Sequence, residues 1–254
     1  MDYILYFNKP IICTFIRRYK RFFSEFSYNN EIITAHCANT GAMQDILIQN
    51  NKCILSSKSS GKLLYTFEAI DNHGTWVGTN TMNPNRIIKS YLPYLFPNQI
   101  FTPEVQFPGT RVDFASDNII IEVKHVHWLP KDNNIILPNI DNIRQNSTFL
   151  SHLSTNYAIE QSYKKNIAFF PDSVTIRGNK QLLAFKKIKG FTKYIIFILQ
   201  RNDIDKISIA QHIDPRYYEE LLNNILYHDL RIMCFSCDID QNGIQIYKQI
   251  QFII

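Results

Sequence analysis

The feature that most constrains this chain is a pair of strand-like runs separated by a short polar segment. The runs are Gly109–Ala115 and Ile119–Lys124, and Ser116-Asp117-Asn118 lies between them. Asp and Asn tolerate positive φ, so Asp117-Asn118 favours a tight turn that joins the runs as a β-hairpin. The apolar residues of both runs indicate strands that are at least half buried.

The register of this hairpin would bring two carboxylates and an amine together. Antiparallel pairing about the turn sets residue 114 opposite 121, and Asp113 opposite Glu122. Directly opposed residues share a face, with Cβ atoms roughly 4.5–5.5 Å apart. Alternate residues of a strand also share a face, so Glu122 and Lys124 point the same way. We therefore predict that Asp113, Glu122 and Lys124 converge on one surface.

Such a convergence favours a divalent cation. Two adjacent carboxylates raise one pKa unless a cation lies between them. Mg²⁺ takes one or two carboxylates together with waters and substrate phosphate oxygens. Lys124 would then orient or deprotonate the attacking water, or stabilise the developing charge. The pattern Asp-(x)n-Glu-x-Lys is typical of restriction-endonuclease-like nucleases, and a surface hairpin with an ordinary Glu–Lys pair is the competing interpretation.

The charge permits a polyanionic partner without requiring one. The chain has 254 residues and a formal net charge of +5, which is weak when spread over a surface of this size. Clustering is more informative. One basic and aromatic group lies near the N-terminus and contains Arg17, Arg18, Tyr19, Lys20, Arg21, Phe22 and Phe23. A second group contains Arg177, Lys180, Lys186, Lys187 and Lys189.

The N-terminal group suits nucleic acid. Strand alternation would put Arg17, Tyr19 and Arg21 on one face, and the opposite face would carry Arg18 and Lys20 with Phe22. Basic and aromatic side chains together can follow a phosphate backbone and stack bases. The competing interpretation is a solvated edge strand.

Cysteine content and hydropathy bear on the compartment. The five cysteines form no disulfide framework spacing, which favours reduced thiols and a cytoplasmic protein. No signal peptide is visible, and no stretch approaches the roughly 20 apolar residues of a membrane span. We therefore expect no membrane partner.

The chain divides into two predicted domains with a mixed α/β fold. In residues 1–82, short strand-like segments alternate with turns, which favours a five-stranded oligonucleotide-binding (OB) barrel. In residues 83–254 the hairpin is followed by helices and strands, an α/β layer arrangement. The predicted elements are a helix from Asn83 to about Leu92, a helix over Arg177–Ile188, a strand over Tyr194–Leu199, a helix from Asp214 to about His228 and a strand over Leu230–Cys237. The Asn-rich stretch at about 129–166 is predicted to be an insertion.

The chain resembles the sugar fermentation stimulation protein A (SfsA) family in several motifs that occur in the same order. These are Arg18–Phe22, His36–Met43, Asn80-Thr81 with Asn85-Arg86, Arg111–Asp113 with Ile121–Lys124, Phe170–Gly178 with Lys180, and His212–Tyr217.

The resemblance implies an N-terminal OB barrel joined to a restriction-endonuclease-like α/β domain. It implies a bacterial DNA-binding protein, sequence-nonspecific, whose nuclease-like site hydrolyses DNA with Mg²⁺ or Mn²⁺. Carried over by position, Asp113, Glu122 and Lys124 are the catalytic residues, and Glu104 is a further carboxylate for the metal bound by Asp113 and Glu122. The basic start of the helix at Arg177 and Lys180 is implied to contact phosphate.

The resemblance leaves an alternative open: a non-catalytic DNA-binding regulator of sugar (maltose) metabolism genes. Double-stranded DNA is the expected partner, and the predicted barrel leaves RNA or single-stranded DNA as a further alternative. Two features depart from the family pattern. The Asn-rich stretch after Trp128 is long, and His125 and His127 follow the lysine.

Overall fold

The computed structural model describes residues 3–41, 43, 45–126, 129 and 167–254. The chain forms two units. The first comprises Met1–Tyr91, Gln200–Asp203 and Ser236–Lys248, and the second comprises Leu92–Leu199, Ile204–Phe235 and Gln249–Ile254. The first unit thus extends past residue 82, where the sequence analysis divides the chain. The predicted insertion at about 129–166 lies outside the described residues, apart from Leu129.

The first unit contains a closed β-barrel. The strands up to residue 78 are β1 (Leu5–Tyr6), β2 (Ile11–Tyr19), β3 (Phe23–Tyr28), β4 (Glu31–His36), β5 (Lys52–Ser57), β6 (Tyr65–Asn72) and β7 (Thr75–Gly78). Strands β2 to β7 form one sheet in the order β4-β3-β2-β5-β6-β7, and β1 belongs to another sheet. An additional pairing of β4 with β6 closes the five strands β2 to β6 into a barrel. The predicted OB-like barrel is confirmed.

Aromatic side chains fill the barrel. Phe15, Phe26 and Phe67 are buried, and the rings of Phe26 and Phe67 meet edge to face with centroids 4.9 Å apart. Full burial of one such side chain contributes about 1.5–3 kcal/mol. Cys13 and Cys53 lie opposite each other on β2 and β5 and are also buried as free thiols. Strand alternation therefore directs the apolar side chains of one face of these strands into the interior of the barrel.

The rest of the chain forms three helices and nine further strands in the described ranges. These are α1 (Asn83–Leu95), β8 (Thr102–Phe107), β9 (Thr110–Ala115), β10 (Ile119–Val126), β11 (Ile167–Phe170), α2 (Ile176–Phe185), β12 (Thr192–Leu199), β13 (Lys206–Ile209), α3 (Pro215–Tyr227), β14 (Leu230–Ile239), β15 (Gly243–Gln249) and β16 (Gln251–Ile253). Each helix and strand predicted between Asn83 and Cys237 is present, with ends shifted by a few residues.

The second unit is built on a mixed sheet. Its strands follow the order β14-β12-β10-β9-β8, with β10 parallel to β12 and antiparallel to β9. A second sheet has the order β11-β13-β16. The unbroken apolar run of β12 is buried along almost its whole length, as expected for a central strand covered on both faces.

One aspartate fixes the start of both helices that follow the hairpin. Asp214 is the N-cap of α3 and accepts a hydrogen bond from the Tyr217 amide at 2.9 Å. Its carboxylate also accepts from the amide of Thr175, the N-cap of α2, at 2.8 Å. The side chain of Asn179, within α2, donates to the same carboxylate. The beginning of α2 is therefore held in a fixed place beside α3.

No helix in the described part of the chain is long and apolar enough to cross a membrane.

Candidate active site and nucleic-acid contacts

The hairpin of β9 and β10 has the predicted register. Phe114 lies opposite Ile121, and Ala115 lies opposite Ile120. The turn is closed by a hydrogen bond from the Ser116 amide to the carbonyl of Ile119 at 2.8 Å. The paired register ends there, and one further step in the same direction would set residue 113 against residue 122.

Asp113 is anchored to the neighbouring strand through its side chain. Its Oδ2 accepts a hydrogen bond from the backbone amide of Val123 at 2.8 Å. Asp113 is half-buried, and its charge adds to the effect of burial, which is the main cause of the raised pKa of Glu122. Asp113 is thus held beside β10 at the level of Glu122.

Glu122 and Lys124 form a buried ion pair on the same face of β10. The Nζ of Lys124 donates to Oε1 of Glu122 at 2.6 Å, and Glu122 is only 5% exposed. Burial raises the pKa of Glu122 above its ordinary value, the ammonium of Lys124 opposes the rise, and the charge of Asp113 adds to it. The structure therefore brings together the three residues that the sequence pattern singled out.

Gln181 completes this cluster, and it is not among the site residues predicted from the sequence. Its Oε1 accepts a second hydrogen bond from Lys124 Nζ at 2.8 Å. Burial raises the pKa of Glu122, and the side chain of Gln181 is near enough to oppose this rise slightly. Gln181 is buried on α2 beside Leu182. A signal was present: the apolar pattern of this helix marks a buried face, and a buried amide requires partners.

Tyr217 lies close to the same carboxylate. It is fully buried on α3, and its hydroxyl has no hydrogen-bond partner among the described residues. Burial raises its pKa, and the charges of Glu122 and Asp214 raise it further. The acidic site is therefore bordered by a neutral hydroxyl group.

Glu104 takes a different partner. Its carboxylate forms an ion pair with Arg111 at 2.9 Å, and its side chain is 50% exposed. The neighbouring pairs of β8 and β9 place position 104 across from position 113, so Arg111 is its diagonal neighbour. Within the described ranges, no group of three or more His, Cys, Asp and Glu side chains is arranged to hold a metal ion. Asp113 and Glu122 are the pair of carboxylates that the site offers.

The N-terminal basic group divides into residues with different contacts. Arg17 forms an ion pair with Glu25 at 2.6 Å and lies over the ring of Tyr19, 5.4 Å from its centroid. The side chain of Arg17 is nevertheless 66% exposed. Arg17 and Tyr19 therefore form a cation–π pair that faces solvent on β2.

Arg18 is occupied by the main chain. Its guanidinium donates to the carbonyl oxygens of Arg21, Asn39 and Gly41 at 2.5–2.8 Å. All five guanidinium donors point in a fixed fork, so this arginine fastens the β2–β3 turn to the segment after β4. Arg18 has the contacts of a structural residue.

The predicted alternation through Arg21 and Phe22 is wrong. Strand β2 ends at Tyr19, and Lys20 and Arg21 have φ of 46° and 61°. In this left-handed conformation the chain turns, so side chains no longer alternate between two faces. Lys20 and Arg21 are exposed at the tip of the turn, separate from the faces of the strand.

Arg177 and Lys180 lie exposed in the first turns of α2. They are three residues apart and so share one side of the helix, adjacent in sequence to Gln181. Neither forms an ion pair within the described ranges. Their charges add to the positive end of the helix dipole, an arrangement suited to phosphate.

Barrel and sheet together define the class: an OB-like barrel in one unit and a restriction-endonuclease-like α/β fold in the other. The family models agree. Residues 16–79 match the SfsA N-terminal OB domain, and residues 156–243 match the sugar fermentation stimulation protein RE domain. The carboxylates and Lys124 of the hairpin lie outside both matched ranges.

Curated relatives extend over nearly the whole chain. A sugar fermentation stimulation protein homolog of Pelagibacter ubique is 31% identical over 94% of each chain. One of Prochlorococcus marinus strain MIT 9515 is 32% identical over 92% of this chain and 91% of its own. The chain belongs to the sugar fermentation stimulation protein family, as its sequence motifs predicted.

A solved structure shares the fold. It is titled "The structure of Pyrococcus Furiosus SfsA in complex with Ca2+", matches with a TM-score of 0.75 and 18% identity, and covers 100% of both chains.

Proposed function

We propose that this protein binds DNA without sequence preference and hydrolyses its phosphodiester bonds with the help of Mg²⁺ or Mn²⁺. The main support for this proposal is the arrangement of three side chains. Glu122 is only 5% exposed, and Lys124 Nζ lies 2.6 Å from its carboxylate. Asp113 accepts a hydrogen bond from the backbone amide of Val123, the next residue on the same strand. A buried carboxylate with a second, half-buried carboxylate and an amine beside it is costly for a purely structural role. Perturbed carboxylates of this kind cluster at functional sites.

The donor set fits a hard divalent cation. Asp113 and Glu122 supply carboxylate oxygens, and Mg²⁺ is satisfied by one or two of these plus waters and substrate phosphate oxygens. When bound, the metal would polarise the phosphoryl group and acidify a water molecule. The Pyrococcus furiosus structure is named as a Ca²⁺ complex, which supports a site for a divalent ion in this fold. Glu104 would join only after leaving Arg111.

Lys124 would act on the attacking water and the phosphoryl group, and Gln181 would hold Lys124 in position. Two hydrogen bonds, to Glu122 and Gln181, fix the direction of the Lys124 ammonium. An ammonium held in place can orient the attacking water and stabilise the charge that develops on phosphorus oxygens. Gln181 would be a positioning residue, because it reaches the reaction through Lys124.

Surface cations would hold the DNA. We assign phosphate contacts to Arg177 and Lys180 on α2, and to Arg17, Lys20 and Arg21 on the barrel. Phosphate contacts position the protein and carry no sequence information, which agrees with nonspecific binding. Double-stranded DNA is the proposed substrate, and the Arg17–Tyr19 pair also suits a stacked single strand.

All five cysteines are free and buried, in keeping with a proposed location in the bacterial cytoplasm.

A second candidate is a DNA-binding regulator of sugar (maltose) metabolism genes that does not cut. The observation that favours it is the pair Arg177 and Lys180, since exposed cations bind phosphate without any metal. It shares every DNA contact with the first candidate and differs only at Asp113, Glu122 and Lys124.

The deciding experiment is a cleavage assay on the full chain with Mg²⁺ or Mn²⁺ and with linear, nicked and single-stranded DNA. Asp113→Asn should abolish metal-dependent cleavage, while DNA binding stays equal or becomes tighter because a negative charge is removed. Asp117→Asn, in the exposed turn of the same hairpin, is the matched control and should cleave normally. Equal residual cleavage by Asp113→Asn and the parent protein would exclude the proposed site, and binding without any cleavage would favour the regulator.

A further inference from the structure

The first unit contains a polar pocket that the proposed nuclease function does not use. It has a volume of about 340 Å³ and lies where strands β4, β5 and β6 meet the start of α1. His36, Lys58, Glu68, Asn83 and Arg86 are among the residues that line it. The motif segments beginning at His36 and Asn80, which support the family resemblance, both reach this pocket.

A buried carboxylate forms part of the pocket wall and needs no cation. Glu68 is 3% exposed. It accepts hydrogen bonds from Ser56 Oγ at 2.5 Å and from the side-chain amides of Asn80 and Asn83 at 2.9 Å each. Neutral donors therefore satisfy this charge, and the cations of the pocket stay available for another partner.

Asn83 offers an unsatisfied acceptor at the same place. It is 1% exposed, and while its Nδ2 binds Glu68, its Oδ1 accepts no hydrogen bond within the described part of the chain. Buried polar atoms are almost always paired. A ligand with a hydroxyl or amino donor would supply the missing bond.

Three basic side chains line the pocket without counter-ions. Among the described residues, His36, Lys58 and Arg86 form no side-chain hydrogen bond or ion pair. Burial lowers the pKa of His36, and the charge of Lys58 lowers it further, so these two side chains lie near each other. The cations Lys58 and Arg86, grouped at a concave site, attract an anion, and the ring of His36 can add a hydrogen bond. Arg86 lies in the first turn of α1, where the helix dipole also favours negative charge.

We propose that this pocket binds a small phosphomonoester that carries hydrogen-bond donors, the chemical class of sugar phosphates and mononucleotides. The phosphate would lie against Arg86, Lys58 and His36, and a hydroxyl or amino group would donate to Asn83. A phosphomonoester matches several cations better than a carboxylate does, because it offers three oxygens and about two negative charges. The volume falls within the range of about 300–1,000 Å³ for small-molecule sites.

The test is calorimetric titration of the full chain, without metal or DNA, with ribose 5-phosphate, adenosine 5′-monophosphate, inorganic phosphate and adenosine. Either phosphate ester should bind more tightly than inorganic phosphate, and adenosine should not bind. Arg86→Gln and Lys58→Gln should each weaken binding by about 10-fold, the effect of losing one charge-assisted hydrogen bond. The matched control is Lys89→Gln, an exposed lysine of α1 that does not line the pocket, and it should bind like the parent.

Absence of binding by every phosphorylated probe would overturn the proposal, as would equal weakening by Arg86→Gln and Lys89→Gln. Binding of a 5′-phosphorylated oligonucleotide but of neither small ester would also overturn it, by assigning the pocket to a nucleic acid end. Asp113→Asn should leave these titrations unchanged, so failure here and failure of the nuclease proposal are separate results.

Discussion

At the scale of single residues, the candidate site is a series of hydrogen bonds that links two carboxylates, an ammonium group and an amide. Asp113 is held by the backbone of β10, Glu122 is held by Lys124, and Lys124 is held in turn by Gln181. Each polar group restrains the next, so the ammonium has one direction in which to act. This restraint matters because a catalytic group misplaced by about 1 Å can lose about 10²-fold in rate.

Gln181→Met should lower the metal-dependent cleavage rate by about 10–100-fold, the usual effect of removing a partner that orients a functional group. Methionine keeps a similar volume, so the fold should persist. Lys124→Met should cost at least as much. The double variant should be no worse than Lys124→Met alone, because both changes act through the same ammonium. Losses that multiply in the double variant would show that Gln181 works independently of Lys124.

At the scale of elements, the helix starts are set by one buried carboxylate. Asp214 is 2% exposed and accepts from the amides of Thr175 and Tyr217 and from the side chain of Asn179. It thereby caps α3 and fixes the beginning of α2, the helix that carries Gln181. The position of the site depends on this contact outside the site itself.

Asp214→Ala should lower the free energy of unfolding by about 2–4 kcal/mol, because it removes an N-cap and leaves buried donors unpaired. Urea unfolding monitored by circular dichroism would measure the change. Asp117→Ala, at an exposed turn, should stay within about 0.5 kcal/mol of the parent. Similar losses for both variants would contradict the capping role.

The first turns of α2 should contribute directly to DNA binding. Replacing Arg177 and Lys180 together by glutamine should weaken the affinity for every sequence alike. It should also reduce the slope of log K against log salt by about 2, since each phosphate contact contributes about 1. Replacing Lys187, an exposed lysine beyond the other end of the helix, should leave the slope nearly unchanged. A sequence-dependent loss would argue for base contacts in place of phosphate contacts.

The hairpin and the helices were predictable because local rules decide them. The β9–β10 hairpin turns at Ser116–Asn118 with the predicted register, although neither Asp117 nor Asn118 adopts the positive φ on which that prediction rested. The cap-and-proline pair at Asp214 starts α3 where expected. The burial of Gln181 could have been predicted from the apolar face of its helix, but its contact with Lys124 could not. The contacts of Arg18 and the ion pair of Glu104 were not predictable either, because each depends on a partner that the folded structure brings near. The alternation predicted across Lys20 and Arg21 failed for a local reason: the chain leaves the β conformation there.

At the scale of the whole molecule, the net charge is only +5, so DNA binding has to depend on local groups of cations. Arg17→Ala with Arg21→Ala should weaken binding to all DNA sequences equally and reduce the salt dependence, since both side chains would meet phosphate. Filter binding at several salt concentrations would measure this. Unchanged affinity and slope would mean that the barrel's basic group contacts no DNA.

The proposed site requires that Asp113 and Glu122 together hold a divalent ion beside Lys124. This binding can be measured by titrating the full chain with Mn²⁺ and following the free ion by electron paramagnetic resonance. We predict that the parent protein and Asp117→Asn bind Mn²⁺ alike, and that Asp113→Asn and Glu122→Gln each lose the site. Unchanged Mn²⁺ binding in both Asp113→Asn and Glu122→Gln would show that these carboxylates do not form the metal site.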